Sequence, residues 1–357
     1  MSHDAGNCAR HGHSGVGDRH GGDQQAWPAH RRPARRYSRT PFPRQTGGPV
    51  LHHRHEPGGA VTASARLRGV DTEAVVDTFD IAVVQTGSRV GAWQQNIDAV
   101  RSEVQALAAG GSKVIVLPEL FASGYDLDSI DTMAESVPGR TSTALGALAA
   151  ETDTVLVTAI AFRDADGIVF DSSLVVGPGG LIALGHKRFL WDREKSVFTP
   201  GAESGLLVST PFGTIGVVIC YEAGFPETVR DLVQRGADVI AVPSAFGHVR
   251  LHVWKLLTRS RALENGVVVA AAGLTGQTGD GPRFAGHSVI VGPQGRTIVE
   301  MDESVGSVSA TVTRRELLDA RDEIPYLKDL ARLGGITEND STENPHERNR
   351  DVRSAIS

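Results

Sequence analysis

From about residue 78 onward, short apolar runs alternate with segments whose apolar residues recur every three to four positions. Residues 79–85 are apolar and β-branched and predict a strand, and 92–109 carry the helical period up to the stop at Gly110-Gly111. A second buried strand is expected over 114–117, stopped by Pro118, then a helix over 142–151 and a strand over 154–161. The turn at 164–167 opens a hairpin through 172–176 and 181–185, with the glycine-rich 177–180 between its arms. Next come a strand over 213–220, a helix over 226–234 with Pro226 in its first turn, and a strand over 237–242. A helix over 252–264 and a strand over 267–272 follow, and strands over 288–291, 297–301 and 306–312 close the pattern. Strands alternating with helices predict an α/β fold, and the hairpins predict mixed pairing. The stretches 115–117 and 215–219 are apolar without alternation, as expected of strands covered on both faces. No internal sequence repeat and no phosphate-binding glycine loop is found.

The chain's ends read differently. Residues 1–60 hold nine arginines against four acids, a balance of +5 that leaves −11 for residues 61–357. Residues 1–80 contain no isoleucine and no lysine, too little apolar surface to offset the entropy of ordering. The expected organisation is therefore an arm over 1–76, one domain over 77–336 and a loose polar tail over 337–357. With the folded pattern starting only near Thr78, the native start is expected downstream of Met1. Eight of the thirteen histidines lie in the arm, irregularly spaced and without carboxylate or thiolate partners, so solvated coil is expected there rather than a metal site.

Bulk properties narrow the function. A net charge of −6 speaks against a nucleic-acid or anionic-membrane partner. No apolar run approaches the roughly 18 to 20 residues that span a bilayer, and the N-terminus lacks a secretory h-region, so a cytoplasmic location is expected. Of the two cysteines, Cys8 lies in the polar arm and Cys220 ends an apolar run, which argues against a disulfide between them and for a reducing compartment.

Three polar residues then stand where apolar ones are expected. Glu119 follows the buried run 114–118, where a carboxylate needs either solvent or a partner. Cys220 closes the run 213–219 and precedes Tyr221, Glu222 and a turn into a helix. That strand–turn–helix order can hold up a nucleophile and aim backbone N–H groups at an oxyanion. Lys187 ends the hairpin. Taken singly, these are a solvated strand-end acid, an inert core thiol and a surface lysine. Taken together they are a base, a nucleophile and a cation.

Ordered segments around these residues resemble the nitrilase, or carbon–nitrogen hydrolase, superfamily. Residues 118–125 resemble its glutamate block, His186-Lys187 with Leu190 its lysine block, and Glu194-Lys195 with Phe198, Pro200 and Gly201 the stretch carrying an additional glutamate. Cys220-Tyr221-Glu222 with 225–227 resembles its cysteine elbow, and Trp254, Arg261-Ala262, Glu264-Asn265, 284–288 and 292–295 resemble later segments. The resemblance implies a four-layer αββα sandwich with mixed sheets, a homodimer or larger homo-oligomer, no cofactor and no metal. It implies Glu119, Lys187, Cys220 and Glu194 as catalytic residues and a small amide or N-carbamoyl compound as substrate. Tyr125, Tyr221 and Phe246 are expected at the substrate, with Phe189, Trp191, His248 and Arg283 as further candidates for the pocket. Phe189 and the stretch 270–273 depart from the usual pattern, and Tyr221 resembles the amidase and carbamoylase branches. A nitrilase acting on a small nitrile and a catalytically idle scaffold of the same fold remain the alternatives.

Overall fold

The apolar runs become strands of two six-stranded sheets, each carrying helices on its outer face. The computed structural model describes residues 77–278 and 281–332, so the expected arm and tail lie outside the described residues. In chain order the first half contains β1 Thr78–Gln85, α1 Trp93–Ala109, β2 Ser112–Glu119, α2 Ile130–Met133, α3 Arg140–Thr152, β3 Val155–Arg163, β4 Val169–Gly177 and β5 Gly180–His186. The second contains β6 Leu206–Thr210, β7 Gly213–Val217, α4 Pro226–Gln234, β8 Val239–Ser244, α5 Leu251–Asn265, β9 Val268–Gly273, β10 Val289–Val291 and β11 Thr297–Glu300. It is followed by β12 Gly306–Thr313, α6 Arg314–Glu323 and α7 Tyr326–Arg332.

Strand order is β12-β1-β2-β3-β4-β5 in one sheet and β11-β10-β9-β8-β7-β6 in the other. Each sheet has three parallel strands in its middle, β1-β2-β3 and β7-β8-β9, and antiparallel strands outside them. The same strand logic is thus used twice, although the sequence shows no repeat.

Period-two alternation sorts the side chains into layers. Val83, Val116, Val157, Val217, Val239 and Ala270 pack between the sheets. Their neighbours Val84, Ile115 and Leu156 face outward onto Ile97, Val100 and Leu148 of α1 and α3. On the far side Ile240 and Val269 meet Val229 and Leu232 of α4 and Trp254 of α5. The result is the expected four-layer αββα sandwich. No helix among the described residues is long and apolar enough to cross a membrane.

Several element ends differ from expectation, and two of them matter. Pro118 does not stop β2: the register with β3 shifts between Val116 and Glu119, so the proline costs no ladder bond and the strand runs on to Glu119. The strand expected to reach Cys220 stops at Val217, and Cys220 opens a 3₁₀ turn, Cys220–Gly224. The sequence reading also missed α2, β6, α6 and α7. In α6 only Leu317 and Ala320 are buried, too thin an apolar stripe to stand out, and Thr313 caps its start by accepting the Glu316 N–H at 3.2 Å.

Candidate active site

The strand ends bring four charged side chains together. Glu119 is the last residue of β2, and Leu120 after it takes a left-handed φ of 51°, which turns the chain away from the sheet. Lys187 directly follows β5, and its N–H extends the β4–β5 ladder by donating to the Asp171 carbonyl at 2.8 Å. That register sets the Lys187 and Asp171 side chains on one face. Glu194 arrives from a 3₁₀ turn, Asp192–Ser196. Gly201 crosses beneath this corner, where a Cβ would lie 2.3 Å from the His186 carbonyl oxygen, so no larger residue fits.

Lys187 Nζ donates to Glu119 Oε1 at 2.6 Å, to Asp171 Oδ2 at 3.0 Å and to Glu194 Oε1 at 3.0 Å. Lys187, Glu119 and Asp171 are 0 % exposed and Glu194 is 1 %, so these charges answer to one another rather than to water. Burial alone would push the Lys187 ammonium down, but Asp171, Glu119 and Glu194 hold it well above its ordinary range. The three carboxylates lie within 4.8 Å of one another, close enough to hold a metal ion. The Lys187 ammonium, bonded to all three, occupies the position such a cation would need.

The remaining acceptors are filled from elsewhere. Glu119 Oε2 accepts the Ala245 N–H at 2.7 Å, a bond from the end of β8 in the other sheet. Glu194 accepts the Trp191 N–H at 2.7 Å and the Tyr125 hydroxyl at 2.6 Å. Burial and the Glu194 charge raise the Tyr125 phenol well above its ordinary range, so it stays a donor.

Cys220 faces this cluster from the second sheet. Its φ of 47° is a left-handed conformation that costs a non-glycine residue on the order of 1–2 kcal/mol. Glu222 holds the turn in place by accepting the Ile219 N–H at 2.9 Å and the Arg188 N–H at 2.8 Å. It therefore ties the cysteine turn to the segment carrying Lys187. Burial pushes the Cys220 thiol well up, with the Glu119 charge adding to it and Lys187 opposing it. The resting group is the thiol, which needs a base to become a nucleophile. The Tyr221 N–H donates to no described residue.

A cavity of about 270 Å³ opens onto Cys220 and Glu194 and is walled by Tyr125, Trp191, Tyr221, Phe246 and Arg250. All seven residues expected at the site are thus brought together. Of the further pocket candidates only Trp191 belongs to this wall. Phe189 turns away to stack on Phe225 with ring centroids 3.9 Å apart. His248 and Arg283 both pair with Glu303 instead.

Sequence reasoning missed Asp171, the role of Glu222, and Arg250. The signal for Asp171 was present, since an acid inside the apolar run 168–176 poses the same question as Glu119. The strand expected from residue 172 leaves it out, whereas β4 begins at Val169. Arg250 lies with its guanidinium 4.7 Å from the Trp191 ring centre and 5.9 Å from that of Phe246, and has no carboxylate partner among the described residues. Nothing in the local pattern marks it.

Comparison with known proteins gives the family and the fold. The family model "Carbon-nitrogen hydrolase" matches residues 80–322. A nitrilase of Pyrococcus abyssi is 33% identical over 236 residues, which cover 63% of this chain and 87% of that protein. The omega-amidase NIT2 of Danio rerio is 30% identical over 263 residues, covering 70% of this chain and 94% of its own. Among solved structures, Nit3 of Saccharomyces cerevisiae, a member of branch 10 of the nitrilase superfamily, superposes with a TM-score of 0.67 at 26% identity, over 70% of this chain and 96% of its own.

Proposed function

Because the chain belongs to the carbon–nitrogen hydrolase family, we propose that it hydrolyses a small amide through a thioester on Cys220. The observation that carries this reading is the Lys187 ammonium bonded to Glu119 and Glu194, with Cys220 lining the adjoining cavity. Glu119 takes the thiol proton as Sγ attacks the amide carbonyl. The oxyanion so formed meets the Lys187 ammonium and the unused Tyr221 N–H, donors that matter most as its charge develops. Collapse of the adduct breaks the C–N bond, and Glu119 returns the proton to the departing ammonia or amine. Glu119 then takes a proton from water, whose oxygen attacks the thioester, and returns it to Sγ as the acid leaves. One amide and one water give one acid and one amine, and the enzyme is restored. Glu194 holds Lys187 in place through the same steps.

Arg250 supports a narrower substrate class, amides with an anionic group at the far end. Its guanidinium is stacked on aromatic rings at the cavity wall and has no described carboxylate partner. The omega-amidase name of a 30% identical relative points the same way. Assembly as a homodimer belongs to this reading too and is checked by sedimentation.

The test is ammonia release from propionamide, from the monoamide of glutaric acid, from an N-carbamoyl amino acid and from propionitrile. Hydrolysis of an amide by the wild type, lost in Cys220→Ala and in Glu119→Gln, supports the scheme. Full turnover in Cys220→Ala sinks it, and turnover of the nitrile alone favours the nitrilase alternative. In Arg250→Ala, KM for the anionic amide should rise about tenfold while propionamide is unaffected.

A further inference from the structure

Three carboxyl groups surround a single ammonium at Lys187, and all four side chains are buried, with Glu194 at the cavity wall. With every carboxyl ionised the cluster would carry two uncompensated negative charges, a state that burial strongly opposes. Some proton must therefore reside in the cluster, and the hydrogen bonds show where. Glu119 receives Lys187 and the Ala245 N–H, and Glu194 receives Lys187, the Trp191 N–H and the Tyr125 hydroxyl. Among the described residues Asp171 receives Lys187 alone, and its buried Oδ1 has no donor. It is the carboxyl whose anion is least supported.

We propose that Asp171 is a positioning residue that stands in the resting enzyme as a neutral carboxylic acid, so that Glu119 remains the ionised base. This rests on the thioester reading above and adds to it a residue with no direct part in the bond changes. The proton sits on Oδ1, the oxygen with no donor among the described residues, while Oδ2 accepts from Lys187 and fixes its ammonium. Burial, together with the Glu119 and Glu194 charges, raises the Asp171 carboxyl well above the ordinary range against the pull of Lys187. Besides these groups, the titratable side chains facing the cluster among the described residues are Tyr125 from the loop after β2, Cys220 from its 3₁₀ turn, and Glu222, which feels the Lys187 charge. Without Asp171, the same ammonium would rest on two carboxylates and could drift from the oxyanion position.

The experiment compares Asp171→Asn, a neutral near-isostere, with Asp171→Ala and Glu119→Gln. Two readouts are used: the rate of Cys220 alkylation by iodoacetamide against pH, and kcat and KM for propionamide or the glutaric monoamide. Asp171→Asn should keep kcat within about threefold of wild type and leave the pH profile of alkylation unmoved. Asp171→Ala should lower kcat more than tenfold with little change in KM, and Asn should restore what Ala loses. A fall in Asp171→Asn as deep as in Glu119→Gln would show that an ionised Asp171 is required and would overturn the inference. If Glu119→Gln itself alkylates and turns over like wild type, the thioester reading falls, and this inference with it. An infrared spectrum at pH 8, where exposed carboxyls are ionised, gives a check independent of activity. A protonated-carboxyl band that disappears in Asp171→Asn supports the assignment, and one that persists refutes it.

Discussion

Lys187 and Arg235 each lie within 3.0 Å of a carboxylate oxygen, yet the two cations do opposite work. Arg235 pairs with Asp231 one turn back along α4, at 2.9 Å, with side chains 45% and 54% exposed. Water and salt screen that pair, and holding two long side chains together offsets much of its attraction. Lys187 meets three carboxyls in full burial, at strand ends contributed from β2, β4 and the segments after β5. Each charge there was stripped of water, so each depends on the others being present. The difference teaches that distance alone says little about an ion pair. Burial decides whether removing one partner is trivial or ruinous.

Four measurements separate a buried charge cluster from a screened surface pair. The largest expected effect is on activity beside the buried cluster. Cys220→Ala should lower amide hydrolysis about 10⁴-fold or more, as loss of a nucleophile does, while stability changes by about 1 kcal/mol or less. A matching loss of stability would mean that the thiol, too, is structural. Second comes the ammonium itself. Lys187→Met should abolish turnover and cost about 3–5 kcal/mol in urea unfolding, because it leaves buried carboxyls without their cation. A cost no greater than that of a surface pair would collapse the contrast.

Third is a pH effect. The folded Asp171 carboxyl titrates well above the ordinary range, so above about pH 4 the folded state keeps a proton that the unfolded chain has released. Stability from this group is therefore fully present below about pH 4 and is lost as pH rises toward the folded value. Asp171→Asn removes that loss. Comparing unfolding at pH 5 and pH 8 should show the variant gaining on wild type at the higher pH, and a constant difference would contradict the raised carboxyl. The smallest effect is at the surface, where Arg235→Ala should change stability by about 0.5 kcal/mol or less and activity not at all.

The chain's own order of apolar and polar residues predicted an α/β fold with mixed strands, because hydrophobic period reports locally which face of each element is buried; the four layers were implied only by the family resemblance. It also marked Glu119 and Cys220, whose polar groups end buried runs, and Lys187 at the end of the hairpin, while Glu194 emerged from the ordered motifs. It could not reveal that Asp171 joins them, since that follows from the β4–β5 register continuing to Lys187. Nor could it show that Ala245, 126 residues away, donates to Glu119 across the two sheets. The left-handed turn at Cys220 and the place of Arg250 at the cavity wall were equally invisible. These features belong to tertiary structure because hydrogen bonds and charge pairs are set by which segments meet in space. A local pattern describes only how much water each segment avoids.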